Sequence, residues 1–284
     1  QLRLILLEAG ALADGASGRN AGFILPGASA DFLKDCNRYG EERARRLWQF
    51  TRENRALLVR ELDPTAFDWE DSGALIVAGS AEEERRLQEA VSWLRSDGAP
   101  AIFLSAAEIN RRLQARGYRG GLYLPEGGCL DPVALVRHLA ARSEALVLTH
   151  HPVLALEPCG EGVRLETPYG SVRAGLVLLA LNAYLPRLLP ETAAYVRPVR
   201  AQMLATEPAG RRWVPCPVYS HEGFFYLRQL ADGTLLLGGA RHLHLEEEVG
   251  YEDATTEALQ TDLERYLHAY FPQTEGLRVR CRWS

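Results

Sequence analysis

The chain alternates between short apolar runs, which are typical of strands, and longer segments in which apolar residues recur every three or four positions. Leu2 to Leu7 forms an almost unbroken apolar run, which predicts a parallel strand buried on both faces. Helical spacing predicts helices at about 41–62, 81–96, 133–143 and 256–270. Strands and helices therefore follow one another as in an α/β fold, with an α+β portion between them.

Two hairpins are predicted in the second half of the chain. Candidate strands at 163–167 and 171–174 are separated by the short turn at 168–170, and the candidate strands at 224–230 and 234–239 are separated by another. The second turn contains Asp232-Gly233, and Asp-Gly between alternating runs is a strong hairpin signal. These hairpins indicate that antiparallel pairing dominates this part of the protein.

Three further strands are predicted from their patterns. The apolar run Leu176 to Leu181 predicts a buried strand that ends at Asn182. Polar and apolar residues alternate at 197–208 and again at 277–283, as expected in an antiparallel sheet. The second half of the chain therefore supplies an antiparallel sheet.

The segment after the first apolar run has the composition of a nucleotide cradle. Glu8 follows the predicted strand, at the end where open α/β sheets bind ligands, and Gly10 permits a tight exit. Arg19 and Asn20 supply donors, and Gly22 allows the backbone to approach a flat ligand. A single acid at a strand end is more often solvated, so the cradle is inferred from the whole segment.

Composition narrows the possible partners. The net charge of -5 gives no reason to propose a basic patch for nucleic acid, and no apolar run approaches the roughly 20 residues that span a bilayer. The five cysteines are scattered and lack a CxxC pair, which favours reduced thiols and a cytoplasmic location. His242 and His244 lack a third ligand by pattern, so no metal site is predicted.

The segment E-A-G-x(5)-A-S-G-R-N-A-G, residues 8–22, resembles the second-strand segment of the FAD-dependent amine and amino-acid oxidases. This is the family of D-amino-acid, glycine and sarcosine oxidases, and the gamma-glutamylputrescine oxidase-like branch looks nearest. The strand P-x-R-x-Q-x-L-x-T at 198–206 and the hairpin at 224–239 are also similar to this family. The resemblance implies a discontinuous Rossmann-like FAD-binding domain and an antiparallel-sheet substrate domain.

The resemblance also implies roles for individual residues. The family's acid accepts hydrogen bonds from the adenosine ribose, a valine backbone meets the adenine, and a later strand end lies against the dinucleotide. Carried onto this sequence, the cofactor-binding residues are Glu8, Ala9, Ser17, Arg19, Asn20, Ala21, Gly22, Val153, Ala180 and Asn182. For Val153, an ordinary strand valine is an equally good interpretation.

Tyr226 and Arg228 are the candidate substrate contacts. Two residues apart in a strand, they point to the same face, and a phenol with a guanidinium suits a carboxylate. The alternative is that both lie on the solvent face of an edge hairpin. The resemblance implies oxidation of the C–N bond of a small amine or amino acid by hydride transfer to flavin N5, followed by imine hydrolysis.

The predicted domains interrupt one another. Residues 1–64 and 126–192 are assigned to the FAD-binding domain, 65–125 to a substrate-domain insertion and 193–284 to the substrate domain. The family's GxGxxG turn and its carboxyl-terminal flavin segment are not in this sequence. A shortened homologue that acts as a binding module without FAD is therefore a second hypothesis, and an NAD-linked dehydrogenase is a third. The sequence leaves the oligomeric state open.

Overall fold

The computed structural model describes residues 3–28 and 31–284. Leu2, part of the first predicted strand, lies outside these residues. The described strands are β1 (Ile5–Leu7), β2 (Phe23–Ile24), β3 (Ala74–Val77), β4 (Ile102–Ser105), β5 (Gly120–Leu124), β6 (Gly128–Cys129), β7 (Leu146–Leu148), β8 (Ala155–Cys159), β9 (Gly162–Thr167), β10 (Gly170–Ala174), β11 (Gln202–Thr206), β12 (Val218–Ser220), β13 (Phe225–Gln229), β14 (Leu235–Gly239) and β15 (Val279–Trp283).

Four of the eight described α-helices lie close to the positions that the apolar spacing predicts. The described α-helices are α1 (Ala16–Arg19), α2 (Phe32–Tyr39), α3 (Glu41–Glu61), α4 (Ala81–Ser96), α5 (Ala106–Leu113), α6 (Pro132–Arg142), α7 (Leu185–Leu188) and α8 (Glu257–Tyr270). Ser105 and Glu108 form the reciprocal capping box at the start of α5. The helix predictions at 41–62, 81–96, 133–143 and 256–270 are thus confirmed to within one residue at each end.

The described chain divides into two compact units. The first unit contains residues 3–20, 132–200 and 245–252, and the second contains 21–28, 31–131, 201–244 and 253–284. Each unit is built from separate stretches of sequence. The domain boundaries inferred from the sequence stay a prediction.

The second unit contains a sheet of eight strands in the order β15-β11-β14-β13-β12-β3-β5-β4, which we call the large sheet. Neighbouring strands pair antiparallel, except that β12 and β3 are parallel. The predicted hairpin at 224–239 is confirmed as β13 and β14, with Tyr226 opposite Gly238. A small ladder of β2 and β6 belongs to the same unit.

The two faces of the large sheet bury separate clusters. On the first face, α5 and α8 pack their apolar residues against strand residues such as Leu75 and Leu227. On the second face, α3 and α4 pack against Ile76 and Leu122, which alternate with the residues of the first face. Because the sheet is covered on both sides, residues of its central strands are enclosed whichever way they point.

The first unit contains two small sheets. β1 pairs in parallel with β7, and β8, β9 and β10 form an antiparallel meander. The hairpin predicted at 163–174 is confirmed as β9 and β10. Helix α6 contacts the short helix α1 and begins at Pro132, where a proline is favoured.

Two predictions for the first unit are wrong. Leu4 is 63% exposed, so the first strand is not buried on both faces in the described chain. Leu176 and Leu178 are each 89% exposed, and residues 176–181 lie outside every described strand. Within the described residues β1 pairs only with β7, and the segment 176–181 has no strand beside it. An apolar run specifies burial only where neighbouring strands and helices cover it.

Candidate active site

Glu8 lies directly after β1, in the first unit. Its Oε1 accepts a hydrogen bond of 2.9 Å from the N–H of Gly10. Its backbone carbonyl accepts one of 2.8 Å from the N–H of His151, just beyond the neighbouring strand β7. The second carboxylate oxygen, Oε2, has no hydrogen-bond partner among the described residues. This oxygen is free to accept from a ligand hydroxyl at the carboxyl end of a parallel pair of strands.

The small-residue loop after Glu8 is compact. Ser17 and Gly18 belong to α1, which consists of Ala16–Arg19. A Cβ at Gly18 would lie 2.1 Å from the carbonyl oxygen of Ala13, so glycine is required for this packing. Asn20 donates to the carbonyls of Ala16 and Ser17, at 3.0 and 2.9 Å. Arg19 donates to the carbonyl of Asp14 at 2.6 Å. The predicted donors therefore also hold the loop together.

The remaining predicted cofactor residues of the first unit are Val153, Ala180 and Asn182, and they have fewer described contacts with the cradle segment. Val153 is half-buried and lies between β7 and β8, two residues after His151. Asn182 has a left-handed backbone with φ 46° and begins a short 3-10 helix, and both it and Ala180 are exposed. The described contacts do not join Ala180 or Asn182 to Glu8. Their cofactor role stays a prediction.

The second unit brings the end of the cradle segment against the predicted substrate strand. Ala21 and Gly22 are buried, and the N–H of Leu130 donates to the carbonyl of Gly22 at 2.9 Å. Gly22 has φ 70°, and a Cβ there would lie 2.1 Å from the carbonyl oxygen of Leu130 and 3.1 Å from Nη1 of Arg228. The carbonyl of Leu130 and the guanidinium of Arg228 therefore both lie against the backbone of Gly22, so only glycine fits at this position.

Arg228 is a buried cation without a carboxylate partner. Its side chain lies on the second face of the large sheet, and the residue is 9% exposed. Nη1 donates to the carbonyl of Leu130 at 2.7 Å, whereas Nε is buried and has no hydrogen-bond partner among the described residues. Buried charges are normally paired, so this side chain suits an anionic or acceptor-rich ligand. The alternative of a solvent-facing Arg228 is excluded.

Tyr226 points to the same face as Arg228. Its ring lies over Gly238 on β14, where a Cβ would be 2.3 Å from Cε2. The ring of Phe23 approaches edge-on, with 6.3 Å between the centroids. Burial raises the pKa of Tyr226 to about 12, so its hydroxyl stays protonated at neutral pH. Tyr226 therefore offers a neutral donor near the cradle segment.

Tyr219 and Cys129 lie in this region but were not among the site residues predicted from the sequence. Tyr219 on β12 lies opposite Tyr226, with 6.2 Å between the ring centroids, and its ring also contacts Phe23 at 5.1 Å. Burial raises the pKa of Tyr219. Burial also raises the pKa of the Cys129 thiol, although the positive charge of Arg228 lowers it. The signal for Tyr219 was the short alternating run Val-Tyr-Ser, which is too brief to assign by pattern alone.

Other kinds of site find no support in the described chain. No group of three or more His, Cys, Asp and Glu side chains that could hold a metal ion occurs within residues 3–28 and 31–284. His244 instead contacts Asp262, with 2.8 Å from Nε2 to Oδ2. In the same residues, no helix has both the length and the apolar composition needed to cross a membrane.

The residues fit a flavin nucleotide in two respects that can be read from the structure. Glu8 keeps one carboxylate oxygen free beside a glycine turn, which suits a ribose hydroxyl. Gly22 leaves no space for a side chain and lies against a guanidinium with an unpaired Nε, which suits a flat ligand with acceptor atoms. The first feature belongs to the first unit and the second feature to the second unit.

Comparison with known proteins identifies relatives along the whole chain. Residues 1–284 match the family described as DAO, FAD dependent oxidoreductase. The chain is 27% identical over 296 residues to the gamma-glutamylputrescine oxidoreductase of Escherichia coli strain K12, covering 99% of this chain and 67% of the relative. It is 30% identical over 292 residues to a probable oxidoreductase, OrdL, of Rhizobium meliloti strain 1021, covering 98% and 66%. The chain thus spans about two thirds of the length of these relatives.

The fold is shared with solved oxidases. Glycine oxidase from Geobacillus kaustophilus superposes with a TM-score of 0.77 at 19% identity, covering 99% of this chain and 75% of the oxidase. This likeness confirms the predicted fold class, α/β plus α+β with a large, mainly antiparallel sheet. The family match over every residue confirms the resemblance stated from the sequence. The chain therefore belongs to the DAO family of FAD-dependent oxidoreductases.

Proposed function

We propose that the whole protein oxidises the C–N bond of a small amine or amino acid. Its family is one of FAD-dependent enzymes. Bound FAD supplies, at N5, the acceptor for a hydride from the carbon that carries the nitrogen. The imine that results is hydrolysed to an aldehyde or an oxo acid. The remaining work falls to the protein, which must hold the cofactor, bind the substrate and fix its orientation.

One observation carries this proposal. Gly22, at the end of the motif that resembles the family's cofactor segment, lies against Arg228, in the hairpin that resembles the family's substrate sheet. Arg228 is buried, and its Nε has no hydrogen-bond partner among the described residues. The end of the cofactor motif and the candidate substrate residue are thus adjacent within the second unit, as an enzyme that reacts a substrate with its cofactor requires.

In this proposal Arg228 and Tyr226 bind and orient the substrate. The guanidinium offers a planar fork of donors that suits a carboxylate, and the hydroxyl of Tyr226 adds a neutral donor from the same face. Gly238 leaves space for the ring of Tyr226 and so fixes where its hydroxyl lies. Neither side chain transfers a proton in this proposal, because hydride transfer requires only that the amine be neutral and correctly placed.

The cofactor is proposed to be held mainly by the cradle segment. Glu8 accepts from the ribose hydroxyls through its free oxygen, and the backbone around Ala9 lies at the end of the same strand. Ser17, Arg19 and Asn20 line the compact turn that follows. Further along the segment, Ala21 and Gly22 present backbone to the ring system. Val153, Ala180 and Asn182 are proposed as additional contacts of the dinucleotide.

The names of the relatives support the substrate class. Gamma-glutamylputrescine, in the name of the Escherichia coli relative, is an amine, and glycine, in the name of the solved oxidase, is an amino acid. A small-molecule partner of this kind is therefore proposed for the present protein. A cytoplasmic location is proposed as well, because all five cysteines are free.

The test is a substrate screen on the purified whole protein loaded with FAD. Amines and amino acids are supplied with oxygen or with an artificial electron acceptor, and the carbonyl product is trapped and identified. The proposal predicts an aldehyde or oxo acid in a fixed ratio to the acceptor reduced. Turnover that depends on added NAD would favour the dehydrogenase hypothesis. Absence of FAD binding would favour the binding-module hypothesis.

A further inference from the structure

The turn between β12 and β13 has a strained backbone. His221, Glu222 and Gly223 have φ values of 50°, 60° and 86°, so three successive residues adopt the left-handed conformation. For the two that are not glycine this conformation is unfavourable, because it crowds Cβ against the backbone. The N–H of Gly223 donates to the carbonyl of Ser220 at 3.1 Å, and that of Phe224 to the carbonyl of His221 at 2.9 Å. Strain of this kind persists only where the surrounding structure holds the backbone in place.

The carboxylate of Glu83, in the first turn of α4, holds this turn from outside. Its Oε1 accepts a hydrogen bond of 2.8 Å from the N–H of Glu222, and its Oε2 accepts one of 2.8 Å from the N–H of Gly79. Gly79 follows β3, and β3 is the parallel neighbour of β12, with Val77 opposite Ser220. The carboxylate therefore joins the chain at the ends of two adjacent strands of the large sheet.

Glu83 is enclosed, unlike the acids beside it. The residue is 4% exposed, and burial raises the pKa of its carboxyl, although the hydrogen bonds from Glu222 and Gly79 lower it. The helix dipole requires only an acid near the start of α4, and Glu82 and Glu84 in the same turn already provide it. The burial of Glu83 is therefore explained by its two N–H partners and not by the helix.

The side chains of the turn are held as well. The carboxylate of Glu222 accepts hydrogen bonds from Lys34 and Arg86. The ring of His221 lies 3.0 Å through Nε2 from the hydroxyl of Tyr270. Glu83 differs from these partners because it binds the backbone, at a residue in the left-handed conformation. It therefore acts directly on the strained part of the turn.

The turn determines which residues of β12 and β13 lie opposite each other. Ser220 is paired with Phe225, and Tyr219 with Tyr226. In a hairpin the turn fixes this register, and a shift by one residue would move every side chain of β13 to the other face. Tyr226 and Arg228 would then leave the second face of the large sheet. A contact that holds the turn therefore also holds the proposed substrate contacts.

We propose that Glu83 is a positioning residue, which fixes the turn through the N–H of Glu222 and thereby places Tyr226 and Arg228 for the substrate. Glu83 acts through the backbone of β13 and does not itself contact the substrate. This inference rests on the proposed function and adds to it a control of alignment from outside the substrate contacts. Small displacements of the groups that orient a substrate lower the rate of its reaction.

The experiment measures kcat/KM of the FAD-loaded whole protein for two sets of compounds. Glycine, 4-aminobutanoate and 6-aminohexanoate carry a carboxylate, and methylamine, propylamine and pentylamine lack it. Rates are expressed per mole of bound FAD, so that a loss of folded protein does not lower them. The variants are Glu83→Ala and Glu83→Gln, the second of which keeps one acceptor oxygen. Glu84→Ala and Glu84→Gln are the matched controls, because Glu84 lies in the same helical turn and pairs with Arg119 at 3.2 Å.

A third variant, Glu222→Gly, tests the mechanism directly. Glycine adopts the left-handed conformation without strain, so a turn with glycine at this position depends less on an outside contact. In the Glu222→Gly background, Glu83→Ala is therefore expected to lower kcat/KM by less than about 3-fold. A loss in this background as large as in the wild-type background would overturn the inference.

Glu83→Ala in the wild-type background is expected to lower kcat/KM by about 10- to 50-fold for the amino carboxylates that the wild type oxidises, and by less than about 3-fold for the alkylamines. Glu83→Gln is expected to lose less, and the Glu84 variants to match the wild type. If Glu83→Ala equals its control, or lowers kcat/KM equally for both sets, the inference is overturned while the proposed function stands. The same holds if the wild type oxidises alkylamines only. If it oxidises none of the six compounds, both are overturned.

Discussion

The carbonyl of Leu130 accepts a hydrogen bond of 2.7 Å from Nη1 of Arg228, and the same oxygen would lie 2.1 Å from a Cβ on Gly22. One carbonyl thus fixes the guanidinium and leaves no space for a side chain on the cradle segment. Within the second unit, the end of the predicted cofactor motif and the predicted substrate strand meet at this atom.

Gly22→Ala should destabilise the protein strongly. The new Cβ would clash with a backbone carbonyl, and the residue would keep a left-handed φ of 70°. Together these effects should lower the free energy of unfolding by about 2–4 kcal/mol. Gly40→Ala is the matched control, since Gly40 has φ 83° but no atom within 4 Å of its Cβ position. Urea denaturation should show the smaller loss for Gly40→Ala, and equal losses would contradict the clash.

Arg228→Gln should impair use of carboxylate-bearing substrates. Removing the buried guanidinium eliminates the positive charge and the bidentate donors, so kcat/KM should fall by about 30- to 1000-fold. For alkylamines that lack the carboxylate, kcat/KM should fall far less. Arg112→Gln is the control, since it removes the same charge at a different place. The guanidinium of Arg112 lies over the ring of Tyr123, 4.5 Å from its centroid. An equal loss of kcat/KM for an amino carboxylate and for the alkylamine that lacks its carboxylate would exclude Arg228 from carboxylate binding.

Glu8→Ala should weaken FAD binding in the whole protein by about 10- to 100-fold, because it removes charge-assisted hydrogen bonds to the ribose. Glu8→Gln retains an acceptor for the N–H of Gly10, at present 2.9 Å from Oε1, and should lose less. Glu161→Ala, at an exposed turn of the first unit, is the control for charge. Flavin fluorescence titration measures the three constants. Unchanged FAD affinity in Glu8→Ala would exclude Glu8 from the cofactor site.

Tyr226 should make stability fall at alkaline pH. Burial raises its pKa from 10.0 to about 12, so between these values the folded state binds more protons than the unfolded state. The stabilisation is complete below pH 10 and is lost as pH rises toward 12, at up to about 1.4 kcal/mol per pH unit. Urea denaturation at pH 9 and pH 11 should show a smaller decline for Tyr226→Phe than for wild type. An identical decline would indicate that Tyr226 titrates normally.

Much of the fold is readable in the sequence because local signals and packing agree. The hairpin of β13 and β14 has both alternation and an Asp-Gly turn, and α5 has a complete capping box. The segment Leu176 to Leu181 shows the converse. Its apolar pattern indicates a buried strand, yet Leu176 and Leu178 are exposed because no described strand lies beside them. Burial depends on neighbours, which a pattern along one segment does not reveal.

The candidate site was predictable only in part. Alternation alone places Tyr226 and Arg228 on one face, and glycine content alone suggests that Gly22 is tightly packed. That Gly22 lies against Arg228 required the fold, because the two residues are 206 positions apart in the sequence. Tyr219 was missed for the same reason, because its position opposite Tyr226 follows from the pairing of β12 with β13.

The most direct test of the central claim is the visible spectrum of the whole protein, purified and then incubated with FAD and freed of excess cofactor. We expect a protein-bound flavin spectrum that is bleached without oxygen by adding an amine or amino acid substrate. Arg228→Gln should bind FAD but resist bleaching by the carboxylate-bearing compounds. A protein that retains no flavin, or one whose flavin spectrum survives every amine and amino acid offered, would contradict the account.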